Sequence, residues 1–497
     1  MSAKWANAAQ ASDPDLLHVF ADGTRQLDFA FESEIDRAFF VSKNLSADCL
    51  LNGLKVAPSG DLFVSIRRGG KCPVTLAMLA RKPWSVNNPS ARPAPVSDSY
   101  TFHPYPSWQM NGGPQKQGGS LTPWQQDPSV LQSVLGIEVD PSTRLWVLDQ
   151  GISSDAPAPI DGAKLLVYDL GTNTLLRKHV FPSDVVLPTK SFLDDLSIDL
   201  VNNFAYITDA GVPSGNIFSP GTTGALIVYD MAQDKSWRIL NKDVSVSPQA
   251  NFLPVASGEP LGTAAVPVQV GADGAGLTAD ARLFYFTALS SKQVWSIPTS
   301  VLRGSRQMAD ADVRAAVKLE IVDTGSIAGG LLVGSDSNLY LTDLTNNAIK
   351  RLIPSTGALD TIAINSRMQW PDGLGFDNNG SVVAFSNQLQ HRINNEPVTE
   401  QAIWRVHIGD GVGSYMQNWV PLCPVSNAIL VPSTSPTASP ADSSQVTRLT
   451  YWAVITTVTS CLLGLLLAYL CLCRRSLSLV AVRSTHDSNE QPYVTMT

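Results

Sequence analysis

The chain has 497 residues, 44% of them hydrophobic and 16% charged, so it can bury a large core and is not a disordered polyampholyte. Its 35 Lys and Arg against 43 Asp and Glu give a formal charge of -8, and no basic stripe is present to neutralise a phosphate backbone, which argues against a nucleic-acid partner. Six cysteines show no metal-binding spacing; Cys49, Cys72 and Cys423 lie in the body, where an odd number allows one disulfide and one free thiol.

In chain order, residues 1–26 form an N-terminal segment in which Met1 to Phe20 lacks the apolar core of a signal peptide. A start truncated ahead of a secretion signal is expected, in preference to a tail-anchored protein whose body stays in the cytosol. Asn44 and Asn379 head N-x-S sequons, compatible with a secreted, glycosylated chain. From Asn52 a pattern appears six times: a turn with Gly or Asp, a short apolar strand, a polar turn and a second apolar strand. The copies are NGLKVAPSGDLFVS at Asn52, LGIEVDPSTRLWVLD at Leu135, DDLSIDLVNNFAYITD at Asp194, DGAGLTADARLFYFT at Asp273, GGLLVGSDSNLYLTD at Gly329 and DGLGFDNNGSVVAFSN at Asp372. Further apolar pieces follow most copies, such as KLLVYDL at Lys164, ALIVYDM at Ala225 and AIWRVHI at Ala402. Together these supply about four strands per repeat, so an all-β, six-bladed propeller is expected over residues 27–425. The Pro-, Gly- and Trp-rich stretch from Lys82 to Gln132 reads as an insertion over one mouth of the ring.

Residues 426–450 are rich in Ser, Thr and Pro and read as an extended stalk. Residues 451–473, YWAVITTVTSCLLGLLLAYLCLC, contain no charge over a length that crosses a bilayer core of about 30 Å as one transmembrane helix. Arg474 and Arg475 follow at once, so the tail 474–497 is expected on the cytoplasmic side and the propeller on the extracellular or luminal side.

The repeats resemble the Yellow and major royal jelly protein family over most of Leu27 to Pro421. The likeness is carried by LWVLDQG at Leu145, FLDDLSID at Phe192, FAYITDAG at Phe204, GALIVYDMAQDKSWRIL at Gly224, LSSKQVWSIPTSVLR at Leu289, LYLTDLTNNAIKRL at Leu339 and WPDGLGFD at Trp370. The resemblance implies a six-bladed propeller, usually secreted, that in some members binds small amines and in others is implicated in dopachrome conversion. This chain departs from the family pattern in lacking a secretion signal, in its apolar C-terminal stretch, and in having Asp194 where the family usually has Asn.

In a propeller the first positions of the inner strands approach the axis, so Asn52, Asp194, Asp273 and Asp372, with Asp195 alongside, are expected to meet at a channel mouth. Carboxylates gathered from separate blades repel unless a cation or protons neutralise them. The expected occupant is a small ligand, an amine among the candidates. Calcium held by Asp194, Asp273 and Asp372 is a second candidate, since the family is distantly similar to gluconolactonase-like propellers. A metal-dependent lactonase-like hydrolase, a dopachrome-converting isomerase, and a surface adhesion protein are the alternative functions. At any single one of these positions an Asp that only caps a turn is the favoured reading, and it is their convergence that raises the group. Asp149, Asp209, Asp343 and Asn387, at the ends of the second strands, are expected to be such caps, and Trp146, Tyr206, Phe284 and Tyr340 to be inter-blade core. His391, just after the sixth repeat, is the histidine that could line a channel mouth, with a surface-loop histidine as the favoured reading.

Overall fold

The computed structural model describes residues 11–419 apart from 22–26, 28, 32, 33, 43–48, 69–71, 80–100, 113–115, 118, 119, 122–126, 152–161, 213–215, 220–223 and 378. Within them, six four-stranded antiparallel sheets follow one another in sequence as blades 1 to 6. Each blade runs from the axis outward, and its inner two strands come from one of the six repeats. They start at Cys49, Val134, Leu193, Ala272, Leu331 and Pro371. These inner strands are buried nearly throughout because both faces are covered by neighbouring blades, so they read as apolar runs.

The hairpin turn after each inner strand supplies a second repeated device. Asp140, Asp199 and Asp336 accept backbone N–H bonds within their own turns. The same side chains also accept from the aromatic two positions into the second strand: Trp146 Nε1 at 2.8 Å, Tyr206 OH at 2.8 Å and Tyr340 OH at 2.8 Å. The aromatic body thus fills the space between blades while its polar tip is satisfied, which burial requires. Trp146, Tyr206, Phe284 and Tyr340 are all buried core, as the sequence suggests.

Closure uses a strand outside the expected span 27–425. Asp15–Ala21, within the N-terminal segment 1–26, pairs antiparallel with Gln401–His407 and becomes the outer strand of blade 6. The first element of the chain is thereby stitched to the last blade. The stretch from Lys82 to Gln132 also differs from expectation. Phe102–Pro104 within it is the outer strand of blade 1. Asn111, fully buried behind that strand, accepts the backbone N–H of Thr75 at 2.9 Å and of Leu76 at 3.1 Å. A three-residue strand among prolines shows no alternation, which is why it reads as a loop. Cys49 and Cys72 form a disulfide that ties the start of blade 1's inner strand to the loop after its second strand.

Two compact units divide the chain at Trp419, and Val420–Thr497 lies outside the described residues, as do Cys423, the stalk 426–450, the apolar stretch 451–473 and the tail 474–497. No helix among the described residues is long and apolar enough to cross a membrane.

Candidate functional site

The inner strands bulge at one shared place. In blades 1, 2, 3, 4 and 6 the pairing register to the second strand shifts across two residues, Asn52-Gly53, Leu135-Gly136, Asp194-Asp195, Asp273-Gly274 and Asp372-Gly373. Bulges of this kind re-aim side chains. The second residue packs so closely on the next blade that a side chain is excluded. A Cβ on Gly136 would lie 2.6 Å from the carbonyl oxygen of Asp194, and one on Gly373 would lie 2.6 Å from that of Asn52. Hydroxyls on the second strands complete the stitching: Ser65 Oγ donates to Leu135 O at 2.6 Å and Thr208 Oγ1 to Asp273 O at 2.6 Å.

Blade 3 is the exception, with Asp195 where the others have glycine. Its carboxylate accepts the N–H of Leu196 at 2.8 Å and of Ala275 in blade 4 at 3.2 Å, so it replaces the glycine contact with a charged bridge. Burial pushes its pKa up to about 6, and Lys55 holds it from rising further.

The first residues of these bulges face the axis and line one cavity of about 90 Å³, shared by Asn52, Asp194, Asp195, Asp273 and Asp372. All five residues that the repeats single out are therefore brought together. Burial raises the pKa of Asp273 far above the carboxylate range, reinforced by the adjacent charge of Asp194. The two side chains hydrogen-bond. The bond lowers Asp194 and raises Asp273, the directions that a proton kept on Asp273 and accepted by Asp194 gives. Asp194 is raised by burial too, although the bond from Asp273 and the charge of Arg67 oppose this. Asp372 is pushed up to about 8, first by burial and then by Asp194, against a hydrogen bond from Trp370 Nε1 at 3.3 Å. Trp370 holds a left-handed backbone, φ 52°, an unusual conformation for a bulky residue.

Apolar side chains from the connections outside the inner strands line the opening, among them Val212, Val268, Val270, Leu289 and, from a short helix, Leu389. Below the acidic level, Lys55 donates to Leu374 O at 2.9 Å and stands 3.9 Å from Glu138, whose pKa burial raises to about 7. Tyr415 lies beyond them, fully enclosed, accepting the N–H of Ile198 at 2.8 Å.

The family model described as major royal jelly protein matches residues 132–410, covering blades 2 to 5 and three of the four strands of blade 6. The chain belongs to the major royal jelly protein family. Major royal jelly protein 3 of Apis mellifera is 24% identical over 385 residues, spanning 72% of this chain and 61% of that protein. Protein yellow of Drosophila erecta is 28% identical over 222 residues, 42% of this chain and 35% of that protein. The chain thus spans less than two thirds of the length of these relatives. Among solved structures, a gluconolactonase of Xanthomonas campestris aligns over 82% of this chain and 99% of its own, with 10% identity and a TM-score of 0.41, too distant to carry an argument.

In this member of the royal jelly family the second ring of acidic residues is structural. Asp149 accepts the N–H groups of Gln132, Ser133 and Gly151 and pairs with Lys164 at 2.9 Å. Asp209 likewise accepts from Phe192 and Gly211 and pairs with Arg238, while Asp343 caps Asn346 and pairs with Lys350 at 2.8 Å. Asn387 bonds Leu389 N and Leu51 O. His391 sits on the short helix Leu389–Ile393, 3.7 Å from Glu259 and near Glu396. These three are the one group of metal-type ligands within mutual reach among the described residues; Asp194, Asp273 and Asp372 do not gather that closely. Asn379 is exposed on a hairpin turn, whereas Asn44 falls outside the described residues. Arg67, Lys55, Phe192 and Trp370 also line the cavity, and sequence reasoning missed them. The one signal for Arg67 was a charge ending the apolar run LFVSIRR.

Proposed function

We propose that this chain binds a small organic cation, an amine, at the channel mouth, with its propeller on the outer or luminal side of a membrane and residues 451–473 as the anchor. The observation that carries the ligand reading is the convergence of Asp194, Asp195, Asp273 and Asp372 on one cavity under an apolar opening, where burial raises all four carboxyls toward their protonated forms. An ammonium group replaces those protons as the neutralising charge, while Trp370 and the aliphatic rim accept the apolar body of the ligand. Calcium suits the site less well, because it takes six to eight oxygens and these carboxylates lie too far apart to act as one ligand set. The Cys49–Cys72 disulfide supports the outward placement, since such bonds persist in oxidising compartments.

Calorimetric titration of the full chain in detergent with phenethylamine tests the ligand reading. Saturable binding that Asp273→Asn abolishes is the expected result. The heat at pH 7 should also depend on the ionisation enthalpy of the buffer, because binding expels protons from Asp372 and Asp273. Absence of amine binding, with calcium producing a saturable signal instead, would overturn it.

A further inference from the structure

Arg67 lines the same cavity from the second strand of blade 1, Leu62–Arg68, on the face that carries Ser65. Its neighbour Arg68 is fully buried and spends its guanidinium on the carbonyls of Leu131, Pro73 and Asn111. Arg67 makes no such bonds, and among the described residues no carboxylate comes within ion-pair distance of it. Burial lowers its pKa, the charges of Asp194 and Asp372 oppose this and that of Arg392 adds to it, and its guanidinium carbon stands 6.0 Å from the centre of the Phe192 ring. A guanidinium presents its N–H donors in a planar fork that matches a carboxylate with two parallel bonds. The cavity therefore offers both acidic groups and an unmatched cationic fork, beneath an apolar opening.

We propose that the site takes an amphoteric ligand, an α-amino acid or close derivative with an apolar side chain, whose ammonium meets the Asp273–Asp194 and Asp372 carboxyls while its carboxylate meets Arg67. This rests on the cation reading above and adds the second pole. The acidic cluster alone selects any amine; Arg67 makes the same amine bind better when it bears a carboxylate. The geometry also disfavours a simple anion, which would gain Arg67 but face the carboxylates opposite.

Three probes that share one apolar body separate the cases: phenethylamine, L-phenylalanine and 3-phenylpropanoate, each titrated into the full chain in detergent at pH 7.5. L-phenylalanine is expected to bind about ten-fold more tightly than phenethylamine, and 3-phenylpropanoate not measurably. Arg67→Gln should erase the preference, bringing L-phenylalanine and phenethylamine to similar affinity. Arg67→Lys, which keeps the charge without the fork, should fall between. Equal or weaker binding of L-phenylalanine in the wild type overturns the proposal and leaves the cation reading standing; so does an Arg67→Gln variant that weakens both ligands alike. Binding of neither phenethylamine nor L-phenylalanine, or of 3-phenylpropanoate alone, sinks both.

Discussion

The axial carboxyls show how far a residue's chemistry is set by its address. Asp149, Asp209 and Asp343 are no less buried than Asp273, yet each is met by a cation and by one to three backbone N–H groups. Asp273 and Asp372 have no such partner, and burial raises both above the carboxylate range. That difference has a measurable sign. Unfolded aspartates titrate near 3.8, whereas in the folded ring Asp195 stands at about 6 and Asp372 at about 8, so the folded state binds more protons across this window. Stability contributed by these groups is full below about pH 4 and is lost as pH rises through 6 and then 8. Urea denaturation should give a less stable wild type at pH 8 than at pH 5, and Asp372→Asn should flatten that slope; an unchanged slope would mean that Asp372 titrates as an ordinary surface acid. The acidic members of the site were legible because each heads a copy of the repeat. Their unequal proton affinities were not, since Asp-Gly at a capped turn and Asp-Gly over a cavity are the same two letters. Arg67 was hidden for the same reason, because two arginines closing a strand read as its solvated end.

At the level of elements, the bulge and its glycine position the site. Between blades 6 and 1, Gly373 lets the inner strands approach until backbone meets backbone, and this contact fixes where Asp372 and Asn52 point. Gly373→Ala is expected to cost about 1 to 3 kcal/mol by overpacking that contact. Gly304→Ala, in the short helix Thr299–Gly304 where the nearest atom to an added Cβ is Met308 Sδ at 3.9 Å, should be close to neutral. Thermal melts of the two variants compare them directly, and equal effects would show that the axial contact is softer than its distances indicate. The first two strands of every blade, and the third strand of all but blade 1, were readable as short apolar runs. The outer strands were harder. Thr174–Val180 is largely exposed or half-exposed, and Lys235–Ile239 is half-buried at best, so neither shows the alternation that one dry face imposes. Phe102–Pro104 is simply too short.

For the molecule as a whole, the ring depends on an N-terminal strand that pairs at a distance of 390 residues, Asp15 with Arg405. Nothing in the sequence DLLHVFA announces that partner, because a strand's edge carries no address beyond its hydrogen-bonding groups. Removing residues 1–21 would unpair Gln401–His407 and expose the core around Phe20, which is 5% exposed and packs on Phe102. A loss of at least ~2 kcal/mol in stability is expected from that side chain alone, with association through the bare edge. A lower melting temperature together with a larger species by light scattering would confirm it, and an unaltered monomer would count against a closing role for the strand. The same stitch also orders events in time. During synthesis Asp15–Ala21 leaves the ribosome before any blade exists, and its partner comes nearly last. The earliest strand must therefore stay unpaired while five blades assemble around the axis, and the cavity gains its complete wall only when the sixth arrives. A ribosome-bound chain stopped at the end of blade 5 would hold Asn52, Asp194 and Asp273 but not Asp372, leaving a gap in the ring through which the site opens sideways.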